Sequence, residues 1–236
     1  MAGETKFKTM IKLFVFDMAG TTVDCTFAVH DCLIGAFQKH GYTIDRDIAS
    51  RSIAVPKPVG IRWILREEFD ITEDRVADTI LSDFLVFMNM YYRTDPSVQP
   101  MPGTETLFSF LKKEGIRIAL DTGFARETAD VIIKRLQWEE RIDLSVASDE
   151  VENGRPYPDM IVKAMRRFDI EEGNQVVKVG DTPADMKQGK NAGCLLTIGV
   201  SSGAFTSDEL KDAGADHIVD QPDEIIQILE KYATEV

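Results

Sequence analysis

Short apolar runs alternate with helical patterns along most of this chain, and this alternation restricts the folds that it can adopt. Six runs have the length and composition of buried strands, and six segments with one apolar face lie between or after them. Such alternation is typical of a parallel sheet with helices on both faces. We therefore predict an α/β fold with a Rossmann-like, doubly wound parallel sheet. The predicted strands are 11–16, 116–120, 144–147, 176–179, 195–200 and 217–219, and the predicted helices are 104–114, 127–136, 159–168, 184–191, 207–213 and 223–232.

A long interruption separates the first predicted strand from the second. It contains no strand pattern, but helical periodicity recurs around 29–37, 61–69 and 76–91. Gly41 is placed to end the first of these helices and Thr72 to begin the third. We predict a small α-helical cap domain at 25–97, inserted into a core domain of residues 1–24 and 98–236. The segments 21–27 and 95–103 are the expected hinges.

Charge and length exclude several classes of function. The 236 residues include 27 Lys and Arg against 40 Asp and Glu, a formal net charge of −13 that opposes binding to nucleic acid or to anionic lipid. No apolar run approaches the roughly 18 residues that cross a membrane, and the amino terminus lacks the pattern of a signal peptide. Three cysteines without metal-binding spacing predict neither disulfides nor a zinc site. We expect a cytoplasmic monomer or homodimer that acts on a small molecule.

Three predicted strands end in acidic motifs. DMAGTT at 17–22 follows the first strand, DTG at 121–123 follows the second, and GDTPAD at 180–185 follows the fourth. Because the carboxyl ends of parallel strands share one edge of the sheet, these motifs should meet in one crevice. A turn would explain Asp17 alone equally well. Clustered carboxylates need a cation, however, and hard oxygen ligands favour Mg²⁺.

One basic residue precedes a predicted helix on a stiff segment. Arg155 lies in NGRPYP at 153–158, where two prolines restrict the backbone. A surface salt bridge is the alternative explanation for Arg155 taken alone. Beside a cluster of carboxylates, a fixed cation indicates that an oxyanion such as phosphate is held between them.

Taken in order, these motifs resemble the four motifs of the haloacid dehalogenase superfamily. The residues that carry the resemblance are Asp17 with Gly20-Thr21, Thr122, Arg155 in place of the commoner lysine, and Gly180-Asp181-Thr182 with Asp185. The resemblance covers nearly the whole chain, since the helical insert is similar to the small cap of that superfamily. It implies a Rossmann-like core with a mobile lid.

The same resemblance implies a role for each matched residue. Asp17 would attack phosphorus and form an aspartyl-phosphate, which water later hydrolyses. The implied metal site consists of Asp17, the main-chain carbonyl of Ala19 and Asp181, with Asp185 orienting the shell around Mg²⁺. The implied phosphate-binding groups are Thr122, Arg155 and the backbone amides around Gly20-Thr21 and Gly123.

Ala19 departs from most phosphatases of the superfamily, which have a second Asp two positions after the nucleophile. An alanine cannot protonate a leaving group. The alanine resembles the phosphonoacetaldehyde hydrolase branch, in which a cap lysine forms a Schiff base with the substrate aldehyde so that carbon departs as an enamine. Lys57, in VPKP at 55–58, matches that lysine by position. Alternatively, Lys57 only binds a substrate phosphate or carboxylate as a charge.

Other positions differ from that branch. Gly60 stands where it would have a histidine, Phe124 where it would have a tyrosine, and IA at 53–54 replaces a methionine-glycine pair. The resemblance therefore implies a phosphonatase-like hydrolase of a small organophosphorus metabolite. The alternative is a phosphate monoester phosphatase, similar to phosphoglycolate phosphatases.

Two further classes fit less well. A dehalogenase needs neither Mg²⁺ nor an oxyanion grip, and a non-enzymatic phospho-aspartate sensor similar to receiver domains would be shorter and have no insert. Cys25 is expected to be a buried apolar residue near the first hinge. His30 and His40 have no partner at a meaningful spacing, so we expect both to be exposed to solvent.

Overall fold

Two compact units make up the chain in the computed structural model, which describes residues 10–24, 28–52, 55, 57–203 and 205–235. One unit comprises Met1–Asp24 and Ser97–Val236, and the other comprises Cys25–Pro96. The first is an α/β unit and the second is helical. Within the described residues, no helix combines the length and the apolar character that crossing a bilayer requires.

The α/β unit is built on one six-stranded sheet in which every pairing is parallel. Its strands are β1 (Leu13–Asp17), β4 (Arg117–Thr122), β5 (Leu144–Ala147), β6 (Val176–Gly180), β7 (Leu196–Val200) and β8 (His217–Val219). The spatial order is β5-β4-β1-β6-β7-β8. Numbered along the chain, this is the 3-2-1-4-5-6 order of a doubly wound sheet. The predicted fold class is confirmed.

The described residues of the helical unit form four helices. They are α1 (Ala28–Lys39), α2 (Arg46–Arg51), α3 (Lys57–Phe69) and α4 (Asp74–Thr94). Helix α4 packs against both α1 and α3, and α2 packs against α1. The buried faces contain Leu33, Ala36 and Phe37 from α1, Ile61, Ile64 and Leu65 from α3, and Ile80 and Phe84 from α4.

Six helices of the α/β unit lie among its described residues after position 100. They are α5 (Thr104–Lys113), α6 (Arg126–Arg135), α7 (Asp159–Arg167), α8 (Pro183–Asn191), α9 (Ser207–Asp212) and α10 (Ile225–Glu235). Each corresponds to a helix that the sequence predicts. Strand β1 is buried on both faces because alternate side chains point to opposite sides of the sheet. Leu13 and Val15 join the cluster that includes Met160 of α7, whereas the ring of Phe16 lies 5.3 Å from that of Phe108 of α5.

Helix α2 and strands β2 and β3 are short elements that the sequence did not indicate. Helix α2 has six residues and only Ala49 buried, so it leaves no apolar stripe. Asp45 begins this helix, since its carboxylate accepts a hydrogen bond from the Ile48 N–H at 2.9 Å. Strands β2 (Val23–Asp24) and β3 (Gln99–Pro100) form a two-residue antiparallel pair where hinges were expected.

Helix α4 differs from its prediction in its start and in its buried face. It begins at Asp74, two residues after Thr72. The buried positions continue at four-residue intervals to Met88 and Tyr92, instead of to Phe87 and Tyr91. Both series of positions fit helical periodicity, and packing against α1 and α3 selects one of them.

Candidate active site

Strand β1 delivers Asp17 to the point where the sheet order reverses. Asp17 is the last residue of β1 and is only 4% exposed. It lies in register with Asp121 of β4 on one side, and β6 lies on the other side and ends immediately before Asp181. Doubly wound sheets bind ligands in the crevice at this reversal point. The structure thus brings carboxylates from three strand ends together.

Arg155 connects these carboxylates. Its Nη2 donates hydrogen bonds to Oδ1 of Asp17 at 2.5 Å and to Oδ1 of Asp121 at 2.8 Å, and also to the Asp121 carbonyl at 3.0 Å. Its Nε lies 3.1 Å from Oδ1 of Asp185. Burial alone would lower the pKa of Arg155, but the charges of Asp121, Asp17 and Asp185 hold that pKa well above its ordinary value. Arg155 is therefore a permanent cation beside the Asp17 carboxylate.

Lys178 is a second cation in this cluster, and the sequence analysis missed it. It lies in the middle of β6 and is fully buried. Its Nζ is 2.5 Å from Oδ1 of Asp121 and 3.0 Å from Oδ1 of Asp185. A lysine inside the otherwise apolar run VVKVG was the available signal, because an ammonium group is rarely buried without a partner.

Asp185 caps helix α8 and also contacts both cations of the cluster. Thr182 and Asp185 form a capping box at the start of α8, in which the Thr182 hydroxyl donates to Oδ2 of Asp185 at 2.5 Å. Oδ1 of Asp185 faces Arg155 and Lys178. Burial would raise the pKa of Asp185, but these two cations and the Thr182 hydrogen bond lower it. Asp185 is consequently held as a carboxylate.

Asp181 has a contrasting environment. The Thr21 hydroxyl donates to Oδ1 of Asp181 at 3.1 Å, and Asp181 also shares a hydrogen bond with Asp17. Burial, together with the charges of Asp17 and Asp185, raises the pKa of Asp181 well above its ordinary value. Burial and the charge of Asp185 also raise the pKa of Asp17, although Arg155 and Lys178 oppose them. Arg155 pairs with Asp17, but no described cation pairs with Asp181, so Arg155 alone cannot balance the pair when both carboxyl groups are ionised.

Gly20 makes room for this pair. Its φ of +84° lies in the left-handed region, and a Cβ at Gly20 would lie 2.5 Å from Oδ2 of Asp181. The turn is further fixed by the Thr22 hydroxyl, which donates to the Asp17 carbonyl at 2.8 Å, and by the Ser202 hydroxyl, which donates to the Gly20 carbonyl at 2.9 Å. Ala19 lies in the same turn, two residues after Asp17 and immediately before Gly20.

Thr122 and Gly123 complete this edge of the sheet. Thr122 ends β4 and is buried, and its Oγ1 accepts a hydrogen bond from the Phe124 N–H at 3.1 Å, so its own proton is available to donate. Apart from Gly123 itself and its two chain neighbours, no atom of the described residues lies within 4 Å of the position that a Cβ at Gly123 would occupy. An oxyanion could therefore approach both groups.

The carboxylates could hold a metal ion. Asp17, Asp121 and Asp185 each offer an oxygen, and these oxygens lie within 4.8 Å of one another. The second oxygen of Asp121, Oδ2, is buried and has no hydrogen-bond partner among the described residues. Buried polar atoms of this kind are rare in proteins unless a ligand, ion or water satisfies them.

Lys57 is the remaining predicted site residue and belongs to the helical unit. It begins α3, and its Nζ donates to the main-chain oxygen of Ser52 at 3.3 Å. Burial lowers the pKa of Lys57 to about 8. Cys25 and residues 53–54, which the sequence analysis considered, lie outside the described residues.

The expectation that both histidines are exposed is wrong, because His30 and His40 are half-buried. His40 pairs with Asp83 of α4 at 2.8 Å. His30 contacts the Ser50 hydroxyl at 3.1 Å. Both partners are distant in sequence, so no local spacing could reveal them.

Comparisons with known proteins agree with this geometry. Residues 11–193 match the haloacid dehalogenase-like hydrolase family. A phosphonoacetaldehyde hydrolase of Bacillus cereus (strain G9842) is 33% identical over 210 residues, covering 82% of this chain and 77% of the relative.

Among solved structures, a phosphonoacetaldehyde hydrolase-like protein from Oleispira antarctica has a TM-score of 0.80 at 22% identity, covering 95% of this chain and 93% of the other. A predicted phosphoglycolate phosphatase from Haemophilus somnus 129PT has a TM-score of 0.82 at 16% identity, covering 93% of this chain and 98% of the other. These two likenesses concern the fold.

Lys178→Met should destabilise the protein at neutral pH by about 3–5 kcal/mol, because it leaves buried carboxylates without their cation. Urea denaturation measures this loss. Lys187→Met is the matched control on exposed surface of α8 and should change stability by less than about 0.5 kcal/mol. Adding Asp121→Asn to Lys178→Met should recover part of the loss. Equal stability of Lys178→Met and the parent protein would show that the ion pairs contribute nothing.

Proposed function

Because the chain belongs to the haloacid dehalogenase-like hydrolase family, we propose that it is a Mg²⁺-dependent, phosphonatase-like hydrolase that acts through an aspartyl-phosphate at Asp17. The proposed substrate is a small phosphonate that bears a carbonyl group, of the phosphonoacetaldehyde type. The observation that carries the proposal is the buried Asp17 carboxylate, held by Arg155 at the reversal point of the sheet. The named activity of the curated relatives supports the choice of substrate class.

The charge distribution selects where the metal would bind. Among the described residues, Asp121 and Asp185 each contact both Arg155 and Lys178, whereas Asp17 contacts Arg155 alone and Asp181 contacts neither cation. We therefore assign Mg²⁺ to Asp17, Asp181 and the main-chain carbonyl of Ala19, with Asp185 in support. The closer-spaced group of Asp17, Asp121 and Asp185 is a weaker choice, since a cation there would compete with two fixed positive charges. When bound, Mg²⁺ would lower the repulsion between the nucleophile and an anionic substrate.

The fixed groups around Asp17 suit attack on phosphorus. The Asp17 oxygen would form the new bond to phosphorus while the bond to the leaving group breaks, and water would later hydrolyse the aspartyl-phosphate. Arg155 would hold the phosphoryl group beside the nucleophile, and the Thr122 hydroxyl would donate to a phosphoryl oxygen. Backbone amides around Gly20-Thr21 and Gly123 would stabilise charge that spreads in the transition state.

Departure of the leaving group requires help that Ala19 cannot give. A methyl group neither donates nor accepts a proton, so the residue two positions after the nucleophile takes no part in acid–base chemistry. We assign this task to Lys57. Its amine would add to the substrate carbonyl and lose water to form an imine, so that the electrons of the breaking carbon–phosphorus bond are delocalised as an enamine. The helical unit would thereby serve as the cap domain at residues 25–97.

The lowered pKa of Lys57 favours this covalent role. At a pKa of about 8, roughly a tenth of the amine is neutral at pH 7, against less than about a thousandth for an ordinary lysine. Only the neutral amine attacks a carbonyl. Burial favours the uncharged amine, so it brings no advantage to a lysine that only binds a phosphate group through its positive charge. We keep the phosphate monoester phosphatase as the second candidate, in which Lys57 binds charge.

The proposal also covers the partner of the protein and its location. A protein with a net charge of −13 repels nucleic acid and anionic membranes, so the partner is a small organophosphorus metabolite. We propose the cytoplasm as the location of this reaction, because the three cysteines lack the spacing of a disulfide framework.

Asp17→Asn should reduce turnover of phosphonoacetaldehyde by at least about 10⁴-fold, since the amide cannot act as the nucleophile. The measurement is steady-state release of inorganic phosphate. Asp130→Asn, at an exposed carboxylate of α6, is the control and should retain the parental rate. Turnover by Asp17→Asn at the parental rate would reject covalent catalysis at this residue.

Removal of divalent ions should abolish phosphate release, and Mg²⁺ should restore it. Independently of activity, Mg²⁺ should raise the melting temperature of the parent protein, because a cation relieves the repulsion between Asp17 and Asp181. Asp181→Asn should lose this shift, whereas Asp212→Asn on the exposed surface of α9 should keep it. An unchanged shift in Asp181→Asn would place the metal elsewhere.

Borohydride should trap an adduct of phosphonoacetaldehyde on Lys57, detectable by peptide mass spectrometry. The trapping rate should rise about tenfold per pH unit below pH 8 and level off above it, because the neutral fraction of the amine follows its pKa of about 8. Lys57→Met should form no adduct. Lys39→Met, at the exposed lysine that pairs with Asp83, should still form one. Hydrolysis of phosphate esters without any adduct would favour the second candidate.

A further inference from the structure

Two titratable side chains form hydrogen bonds with residues at the end of helix α2 in the helical unit. The ring of His30, from α1, contacts the Ser50 hydroxyl through Nε2 at 3.1 Å. The Lys57 ammonium donates to the main-chain oxygen of Ser52 at 3.3 Å. Ser50 lies in the last turn of α2, and Ser52 is its C-cap. His30 and Lys57 therefore share one short segment of backbone as their support.

The hydrogen bonds fix the tautomer of His30. The Ser50 hydroxyl donates its single proton to the Arg46 carbonyl at 2.7 Å, so it can only accept from the histidine ring. The proton of the neutral ring must then reside on Nε2. Nδ1 is left as a lone-pair acceptor, and it is buried without a hydrogen-bond partner among the described residues. A basic nitrogen that is buried without a hydrogen-bond partner is unusual in proteins and needs an explanation.

Gly60 permits the approach of α3 to the same segment. A Cβ at Gly60 would lie 2.9 Å from the Ser52 Cβ and 3.2 Å from the Ser52 oxygen. A side chain there would push α3 away from the atom that accepts the Lys57 hydrogen bond. The start of α3 reads KPVGI, so Lys57 is its only titratable side chain. A side-chain proton carrier beside Lys57 would therefore belong to another element.

Burial and nearby positive charges favour the neutral form of the His30 ring. Burial is the largest effect that lowers the pKa of His30; the positive charges of Arg46 and Lys57 lower it further, and Asp31 raises it. A neutral ring with a free Nδ1 lone pair can accept a proton from a stronger acid. The ammonium formed when an amine adds to a carbonyl is such an acid.

We propose that His30 is the proton carrier for imine formation at Lys57. This inference rests on the proposed function, because it requires Lys57 to react with a carbonyl. After the neutral amine adds to the carbonyl carbon, the adduct has two protons on nitrogen and none on oxygen. Nδ1 takes one proton from this nitrogen and gives it to the oxygen, which becomes a hydroxyl. Nδ1 then carries the second nitrogen proton to that hydroxyl, which leaves as water while the nitrogen lone pair forms the imine. No oxidant, reductant or further reactant is consumed.

The test measures how fast the parent protein and His30→Gln form the borohydride-trapped adduct with phosphonoacetaldehyde at pH 7.5. The glutamine amide can still donate to Ser50 but offers no basic nitrogen at the position of Nδ1. Loss of general acid–base catalysis should slow adduct formation by about 10²-fold. His40→Gln is the matched control, since His40 is also half-buried in this unit but pairs with Asp83, and its rate should equal that of the parent.

Two further measurements separate proton transfer from a structural role. His30→Ala should form the adduct slowly, and added imidazole should raise the rate of adduct formation by this variant at least tenfold. A variant with a structural defect would not respond to imidazole. Ser50→Ala, at an exposed position, should slow adduct formation severalfold because Nδ1 can then carry the proton. Equal rates for His30→Gln and the parent would overturn the inference and leave the imine intact. Failure of the parent itself to form an adduct would reject the imine, and His30 would lose its role with it.

Discussion

Four carboxylates and two cations are buried around the end of β1, and this unequal count governs the whole site. Arg155 and Lys178 balance only two of the four negative charges. An unpaired charge in the interior costs several kcal/mol, and domains are stable by only about 5–15 kcal/mol. The cluster must therefore take up protons or a divalent cation. Burial and the neighbouring carboxylates raise the pKa values of Asp17 and Asp181, which favours uptake of a proton or binding of a cation at this pair. A divalent cation could balance the same excess of negative charge.

The sheet can hold such a cluster because its members are fixed by backbone elements. Asp17 and Asp121 are neighbours in strand register, and Lys178 projects from the adjacent strand β6. Asp185 is fixed by the capping box of α8. None of these side chains depends on a long loop for its position, so little entropy is lost when substrate arrives. The reversal of strand order at β1 leaves the crevice open for a ligand.

Sequence patterns predicted the fold far better than the pairing of charges. The strands and long helices have strong periodicity, so all six sheet strands could be placed. Helix α2 was missed because it buries a single residue. The acidic motifs at strand ends were visible, but the sequence could not show that Lys178 binds Asp121, 57 positions away. Nor could it show that Ser50 fixes the tautomer of His30, because that depends on a proton directed at Arg46. Long-range pairs such as these are set by packing.

The division of groups between the two units has a consequence for catalysis. The α/β unit contains the proposed nucleophile, the proposed phosphate-binding groups and carboxylates that could hold a metal, but Ala19 offers no acid two positions after Asp17. The helical unit contains the amine with the lowered pKa and the sealed histidine nitrogen. In the proposed reaction, carbon is a poor leaving group until an imine can accept its electrons, so attack by Asp17 and activation by Lys57 would both be needed in one turnover. Neither unit alone holds the complete set of reacting groups.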